Sequence, residues 1–425
     1  MAKIKPFTAF IYNQNKVKDL STVVCPPYDI ISPEEQERYH EINPYNLIHI
    51  LLAKDSPRED KYATAARFMR DWLKDNVLVR DDRPAVYFYS QQYSLKGEKK
   101  TRFGFISLLH LGEGRSSAFA HEHTRAAPKQ DRLKLIRQVK ANLSPIFAIF
   151  ADKNRIIQRT YQQHIEKAQP FIDIVDDHKI NHKLWRIDDP GVLSKIQAFM
   201  RDENIFIADG HHRYEVGCAF RDEMKEKLGK ITGEEDFNYI LTYFTNTDSR
   251  GLTILPVHRL LKLEKAFDLE KFKLQLKDYF DVEEVKDKTK LLFLMEKGGR
   301  TEHVIGFYKD KKYWLLRLKN IKILDKMMPD KPKEYRALDV SILNAIILQQ
   351  IFGLGEGSME NLEFGTEAED FIARADSDPL SIAFFLNPVK IEQIISVALK
   401  GERMPPKSTY FYPKVLSGLV INKFD

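Results

Sequence analysis

The stretch Ile205-Phe206-Ile207-Ala208-Asp209-Gly210-His211-His212-Arg213-Tyr214 constrains this chain more than any other. Ile205 to Ala208 are consecutive small or apolar residues, the pattern of a buried strand. Asp209 and Gly210 then turn the chain, and Arg213 to Leu228 (RYEVGCAFRDEMKEKL) reads as a helix. A strand that ends in a glycine turn and opens a helix aims unpaired backbone N–H groups, and the positive end of the helix dipole, at one point. An Asp, two imidazoles and a guanidinium crowd that point. Asp209, His211, His212 and Arg213 are therefore expected to line one cleft, on the principle that loops held by a rigid scaffold carry function.

A chain of 425 residues is too long for one core and implies two or three domains. The pattern suggests an N-terminal α/β segment (1–110), a central core (111–260) and a C-terminal α/β region (261–425). The net charge is +6, but Lys and Arg alternate with Asp and Glu, as in KLEKAFDLEKFKLQLKDYFDVEEVKDK. Such runs are solvated helix faces and argue against a nucleic-acid partner. The two cysteines, Cys25 and Cys218, form no CxxC pattern, which fits a reducing compartment and disfavours a disulfide scaffold or structural zinc. No apolar run reaches the roughly 18 residues of a membrane span, and the N-terminus has no signal-peptide pattern. The expectation is a cytoplasmic protein with no membrane partner; a homo-oligomer is left open.

Several elements can be read directly. Ser32-Pro33-Glu34-Glu35 is a helix start. A helix is expected near residues 60–76. Residues 85–93 and 101–109 read as a hairpin across LKGEKK. Strands are expected at 145–151, 239–245 and 382–386, with helices at 192–200, 341–352 and 391–398. Together these predict a mixed α/β fold.

Three further blocks carry chemistry. Tyr28-Asp29 follows a double proline that fixes an extended path, and is a candidate substrate contact or a simple turn. His121-Glu122-His123-Thr124 puts two imidazoles on one face of an extended backbone, a usable metal-ligand spacing, with Glu122 as a base or supporting group. In the PKQDR segment that follows, Asp131 is expected to cap a helix running to Lys140. Lys129 and Arg132 would then stand at the helix start, against the dipole, facing a bound anion. Finally Lys407-Ser408-Thr409 offers a cation and two hydroxyls for oxygens of an anion, without the leading glycines of a nucleotide P-loop. The His121 and Lys407 blocks are expected to converge on the cleft at Asp209.

The blocks CPPYDIIS, NPYNLIHI, HEHT, PKQDR, NLSPIFAIF, IADGHHRYE and MPPKSTYFYPKVLSGL resemble, over essentially the whole chain, a bacterial and archaeal family known as domain of unknown function 1015. Residues 191–257 are more distantly similar to the ParB/sulfiredoxin-like fold, including free-serine kinases with an Asp-Gly-His-His-Arg turn. That resemblance implies a nucleotide-binding core with additional α/β segments. It implies that Gly210 and the N–H groups after it cradle phosphates, that Arg213 pairs with them, and that His211 or His212 lies near the transferred group.

The leading expectation is a nucleotide-dependent phosphotransferase acting on a small hydroxylated or amino-acid-like metabolite, with ATP or ADP (or another nucleotide) and Mg2+ as cofactors. Lys129, Arg132 and Lys407, with Ser408 and Thr409, would help hold the nucleotide, and Glu122 or Asp209 could serve as base. One alternative is a metal-dependent hydrolase using His121, His123, Asp209, His211 and His212. Another is a nucleotide-binding switch of the ParB type that is not an enzyme.

Overall fold

The computed structural model describes residues 2–112, 118–122, 124, 126–265, 268–355 and 358–424. The chain divides into two units. The first comprises residues 1–120, 124–253 and 413–425, and the second comprises 121–123 and 254–412.

In the first unit the expected hairpin forms the middle of an eight-stranded sheet. Its strands are β1 (Ile4–Lys5), β2 (Val86–Leu95), β3 (Glu98–His110), β4 (Ile146–Phe150), β5 (Ile172–Val175), β6 (Asn181–Ile187), β7 (Phe206–Asp209) and β8 (Tyr239–Asn246). The order is β7-β4-β8-β3-β2-β6-β5, with β1 alongside β3. Strands from residues 1–110 and from 111–260 thus hydrogen-bond into one sheet. β4 is the apolar run IFAIF, buried at every position, as a strand covered on both faces requires. It runs parallel to β8 and antiparallel to β7. Phe88, Phe105, Phe150, Phe244, Ile146 and Ile207 belong to one buried cluster on this sheet. Cys218 packs against that cluster, as a small core residue would.

The helices of this unit start where their caps dictate. α1 (Pro33–Ile42) carries the full capping box of Ser32 and Glu35, and α2 (Lys61–Lys74) is capped by Asp60. α3 (Ala126–Val139), α4 (Pro190–Arg201) and α5 (His211–Leu228) follow. α3 lies along α5, with Ile136, Val216 and Phe220 in a shared apolar cluster. An Arg137–Glu223 ion pair joins the two helices.

The second unit is built on a six-stranded antiparallel sheet of β9 (His258–Lys262), β10 (Phe280–Val285), β11 (Val304–Lys309), β12 (Lys312–Leu318), β13 (Leu362–Gly365) and β14 (Ser381–Phe385). The order is β10-β12-β11-β14-β9-β13. α7 (Lys288–Gly298) and α8 (Ala368–Ser377) cover one face through Leu291, Met295 and Phe371. On the other face Phe272, from α6 (Leu269–Leu276), packs against Phe307 and stacks on Phe352. The helix expected at 341–352 is a short α-turn, Asp339–Ile342, that continues as a π-helix, Leu343–Ile351. The fold class is mixed α/β, as the sequence indicated. Among the described residues no helix is long and apolar enough to cross a membrane.

Candidate functional site

The Asp209 turn is formed by a local irregularity. Between Ile207 and Asp209 the register of β7 against β4 slips by one residue, so Ala208 is bulged. A bulge at the end of a strand re-aims the side chain that follows. Gly210 then adopts φ +89°, a left-handed conformation that side-chain-bearing residues avoid. The 18-residue helix α5 opens immediately after it. The Arg213 guanidinium folds back over Gly210, and a Cβ at that glycine would come within 3.0 Å of Arg213 Cζ.

Two cations share one carboxylate at this turn. Arg213 Nη2 donates to Asp209 Oδ2 at 2.7 Å, and Arg213 Nη1 donates to the Pro145 carbonyl. Lys414 Nζ donates to the other carboxylate oxygen of Asp209. The side chains of Arg213 and Lys414 are each 11% exposed, and that of Asp209 is 15% exposed. Burial alone would raise the Asp209 carboxyl, but the Lys414 and Arg213 charges hold it well below the usual carboxylate range. Asp209 thus accepts from two cations at once. Lys414 was not among the expected site residues. It lies inside the MPPKSTYFYPKVLSGL block, but nothing in the sequence couples it to Asp209. Arg213 Nε is buried and has no hydrogen-bond partner among the described residues.

Beside the turn lies a cavity of about 60 Å³ lined by Tyr28, Arg132, Asn142, Ser144, Arg213 and Val216, among others. Tyr28 belongs to the short 3-10 turn Tyr28–Ile30, while Asp29 is exposed. The Arg132 guanidinium stacks over the Tyr28 ring at 4.5 Å. Burial and the Asp29 charge push the Tyr28 hydroxyl up to about 12, with Arg213 and Arg132 acting the other way. Tyr28, Arg132 and Arg213 are thus brought together from three separate sequence blocks.

Asp131 does not cap a helix. α3 begins at Ala126, so Asp131, Lys129 and Arg132 lie within it and the argument from an opposed dipole fails. Lys129 instead pairs with Glu215 of α5 at 2.9 Å, and Thr124 Oγ1 donates to the same carboxylate at 2.5 Å. Asp131 accepts from Lys61 at 2.7 Å and from the Tyr62 hydroxyl at 2.8 Å, and it pairs with Arg132. Arg132 also donates to the Leu51 carbonyl. The opening turns of α3 thus lock α2 and α5 together. His211 is buried and His212 is partly exposed, so the two imidazoles of the pair differ in access to solvent.

The second unit brings two other expected blocks together. The chain at Glu122 makes a parallel bridge with Met404, and the Met404 N–H donates to the His121 carbonyl at 2.6 Å. His121, fully buried, lies 3.4 Å from the Thr409 hydroxyl. The Lys407 N–H donates to Glu122 Oε1 at 2.9 Å. Lys407 is exposed and left-handed, at φ 56°, and Ser408 is buried with its hydroxyl donating to the Pro405 carbonyl. The blocks nearly three hundred residues apart therefore form one cluster, in which Glu122 serves as a backbone acceptor. His123 lies outside the described residues. Among the described residues no three His, Cys, Asp or Glu side chains gather as a metal-holding group.

The blocks CPPYDIIS, HEHT and IADGHHRYE now have positions, and the profile of one family, described as "Protein of unknown function (DUF1015)", matches residues 4–341. The chain is a member of the DUF1015 family. No curated protein matches it in sequence. Among solved structures, this DUF1015 chain is similar to a conserved hypothetical protein from Pyrococcus furiosus, with 13% identity, a TM-score of 0.34, and coverage of 73% of this chain and 92% of that one. It is similar to a free serine kinase in complex with AMP, with 13% identity, a TM-score of 0.34, and coverage of 73% and 91%. It is also similar to SbnI with a C-terminal truncation, from Staphylococcus aureus, with 10% identity, a TM-score of 0.37, and coverage of 73% and 85%. At such TM-scores the likeness carries no functional argument.

Proposed function

We propose that this DUF1015 protein is a nucleotide-dependent phosphotransferase whose acceptor is a small hydroxylated or amino-acid-like metabolite. The observation that supports the reading best is the turn at Gly210: a left-handed glycine opens an 18-residue helix with a guanidinium folded over it. Helix N-termini of this kind favour anions through oriented N–H groups and the helix dipole. Two cations, Arg213 and Lys414, both pair with the Asp209 carboxylate at this turn, a positive setting that favours an anion. The buried Arg213 Nε, without a partner among the described residues, is the donor left for a phosphate oxygen.

On this reading the backbone after Gly210 and Arg213 hold nucleotide phosphates, and Asp209 and Lys414 keep Arg213 oriented. Mg2+ would be held by phosphate oxygens and water rather than by Asp209, whose oxygens already accept from two cations. It would supply charge neutralisation on the transferred group. His212, partly open to solvent, is the proposed acceptor of the hydroxyl proton, and Tyr28 is the proposed substrate contact.

The test is calorimetry with ATP and ADP, with and without Mg2+, on the wild type and on Arg213→Lys. 31P NMR would follow ATP in the presence of L-serine and other small hydroxyl compounds. The reading expects saturable nucleotide binding that Arg213→Lys weakens by about 10-fold or more, since a lysine has no counterpart of the Nε donor while the Nη groups stay on Asp209 and Pro145. It also expects a new phosphomonoester resonance. Absence of nucleotide binding in the wild type would refute it.

A further inference from the structure

A larger cavity lies wholly in the second unit. It has a volume of about 500 Å³ and is lined by Met327, Met328, Leu348, Leu354, Phe364 and Pro406, among others. Arg259 of β9 also lines it and is 1% exposed. Its guanidinium donates to the carbonyls of Val257 and Lys407, the latter at 2.9 Å, and lies 4.8 Å from the centre of the Phe364 ring. It makes no ion pair among the described residues. Burial lowers the guanidinium to about 9, with the Glu122 charge acting the other way. Carbonyl dipoles solvate a buried cation but do not neutralise it, and buried charges are ordinarily paired.

A second observation points the same way. Ser341, also 1% exposed, lines this cavity, and its hydroxyl has no hydrogen-bond partner among the described residues. A buried hydroxyl left unpaired carries a desolvation penalty that a ligand atom would remove. The wall after Ser341 is the π-helix Leu343–Ile351, from which Asn344, Leu348 and Gln349 line the cavity.

We propose that this cavity binds a small organic monocarboxylate, its carboxylate on Arg259 with the Ser341 hydroxyl as a further donor and its apolar body against Met327, Leu348 and Leu354. One buried cation, with Asp330 and Lys331 also lining the cavity, suits a single negative charge better than a phosphate dianion. The inference does not depend on the nucleotide reading, whose proposed residues lie in the first unit.

The experiment titrates the full chain with octanoate, octanol and octyl phosphate as probes, using calorimetry and ligand-observed NMR. Saturable one-to-one binding of octanoate is expected, with octanol about 10-fold or more weaker, as loss of a charge-assisted hydrogen bond implies. Arg259→Lys should weaken octanoate to a similar extent. Because that variant disturbs a buried charge, two others carry the test independently. Ser341→Ala should weaken octanoate by about 3–10-fold while leaving the ligand-free melting temperature unchanged or raised, because it removes an unsatisfied hydroxyl. Gln349→Trp, at an exposed position lining the cavity, should block binding in a folded protein. Equal affinity for octanol, tighter binding of octyl phosphate, no saturable octanoate binding, or unchanged affinity in both Ser341→Ala and Gln349→Trp would each overturn the proposal.

Discussion

Replacing Asp209 with Asn tests the charge arrangement at the turn directly. The amide keeps the shape of the carboxylate and removes its charge. Arg213 and Lys414, each 11% exposed at the side chain, then lose the carboxylate that both pair with. Two charge-assisted hydrogen bonds are weakened, each typically contributing about 1.5–3 kcal/mol. Removing one partner of a buried ionic group usually costs about 3–5 kcal/mol, and that range is expected here because the two bonds share one carboxylate and are not additive. For a unit of this size the loss corresponds to a fall in melting temperature of roughly 6–20 °C. Lys414→Met should cost less, about 1–3 kcal/mol, because Arg213 still neutralises Asp209. The double variant should be more stable than the sum of the single losses implies, since the leftover cation and its missing partner disappear together. Urea denaturation of the four proteins measures this cycle. An Asp209→Asn loss below about 1 kcal/mol, or a Lys414→Met loss equal to it, would refute the idea of one carboxylate holding two cations.

Other outcomes are equally specific. Burial would raise the Asp131 carboxyl, but Arg132, Lys61 and Tyr62 hold it down to about 2, against about 3.9 in an unfolded chain. Its contribution is therefore complete above about pH 4 and is lost as pH falls towards 2, so the stability gap between wild type and Asp131→Asn should narrow over that window in denaturation curves. Gly210→Ala forces a Cβ into a left-handed turn and against Arg213, and should lower stability by about 1–2 kcal/mol and weaken nucleotide binding, both readable by thermal shift. Lys407→Gly relieves the left-handed backbone at φ 56° and should raise the melting temperature modestly, by the equivalent of about 1 kcal/mol or less. Lys129→Ala removes a partly exposed pair with Glu215 and should change stability by no more than about 1 kcal/mol in the same assay.

Local signals in the sequence were strong wherever the physics is local. Ser32 and Glu35 announce their helix because a capping box is satisfied within four residues. The IFAIF run announces a strand buried on both faces because no polar residue interrupts it. The Asp209-Gly210 turn announces itself because left-handed backbone, strand end and helix start are all written within ten residues. The error at Asp131 has a local cause too. An Asp before an amphipathic run looks like a cap, yet Ala126 and Ala127 had already begun the helix.

Charge pairing was not legible in the same way. Lys129, Arg132, Arg213 and Lys414 read alike, as cations available to a ligand. Arg132 and Arg213 pair close by in the chain, with Asp131 and Asp209, but the partners of Lys129 and Lys414, Glu215 and again Asp209, are chosen by the packing of distant segments. Arg259 and Ser341 carried no sequence signal at all, because a buried guanidinium and a buried serine look like any others until the walls around them are known. Sequence alone therefore determined the mixed α/β class, most elements and the position of the glycine turn, all set by periodicity and backbone stereochemistry within a few residues. Only the tertiary structure decided, among the described residues, how Lys129 and Lys414 are paired and which buried polar groups are left unpaired, because pairing also acts across space between segments far apart in the chain.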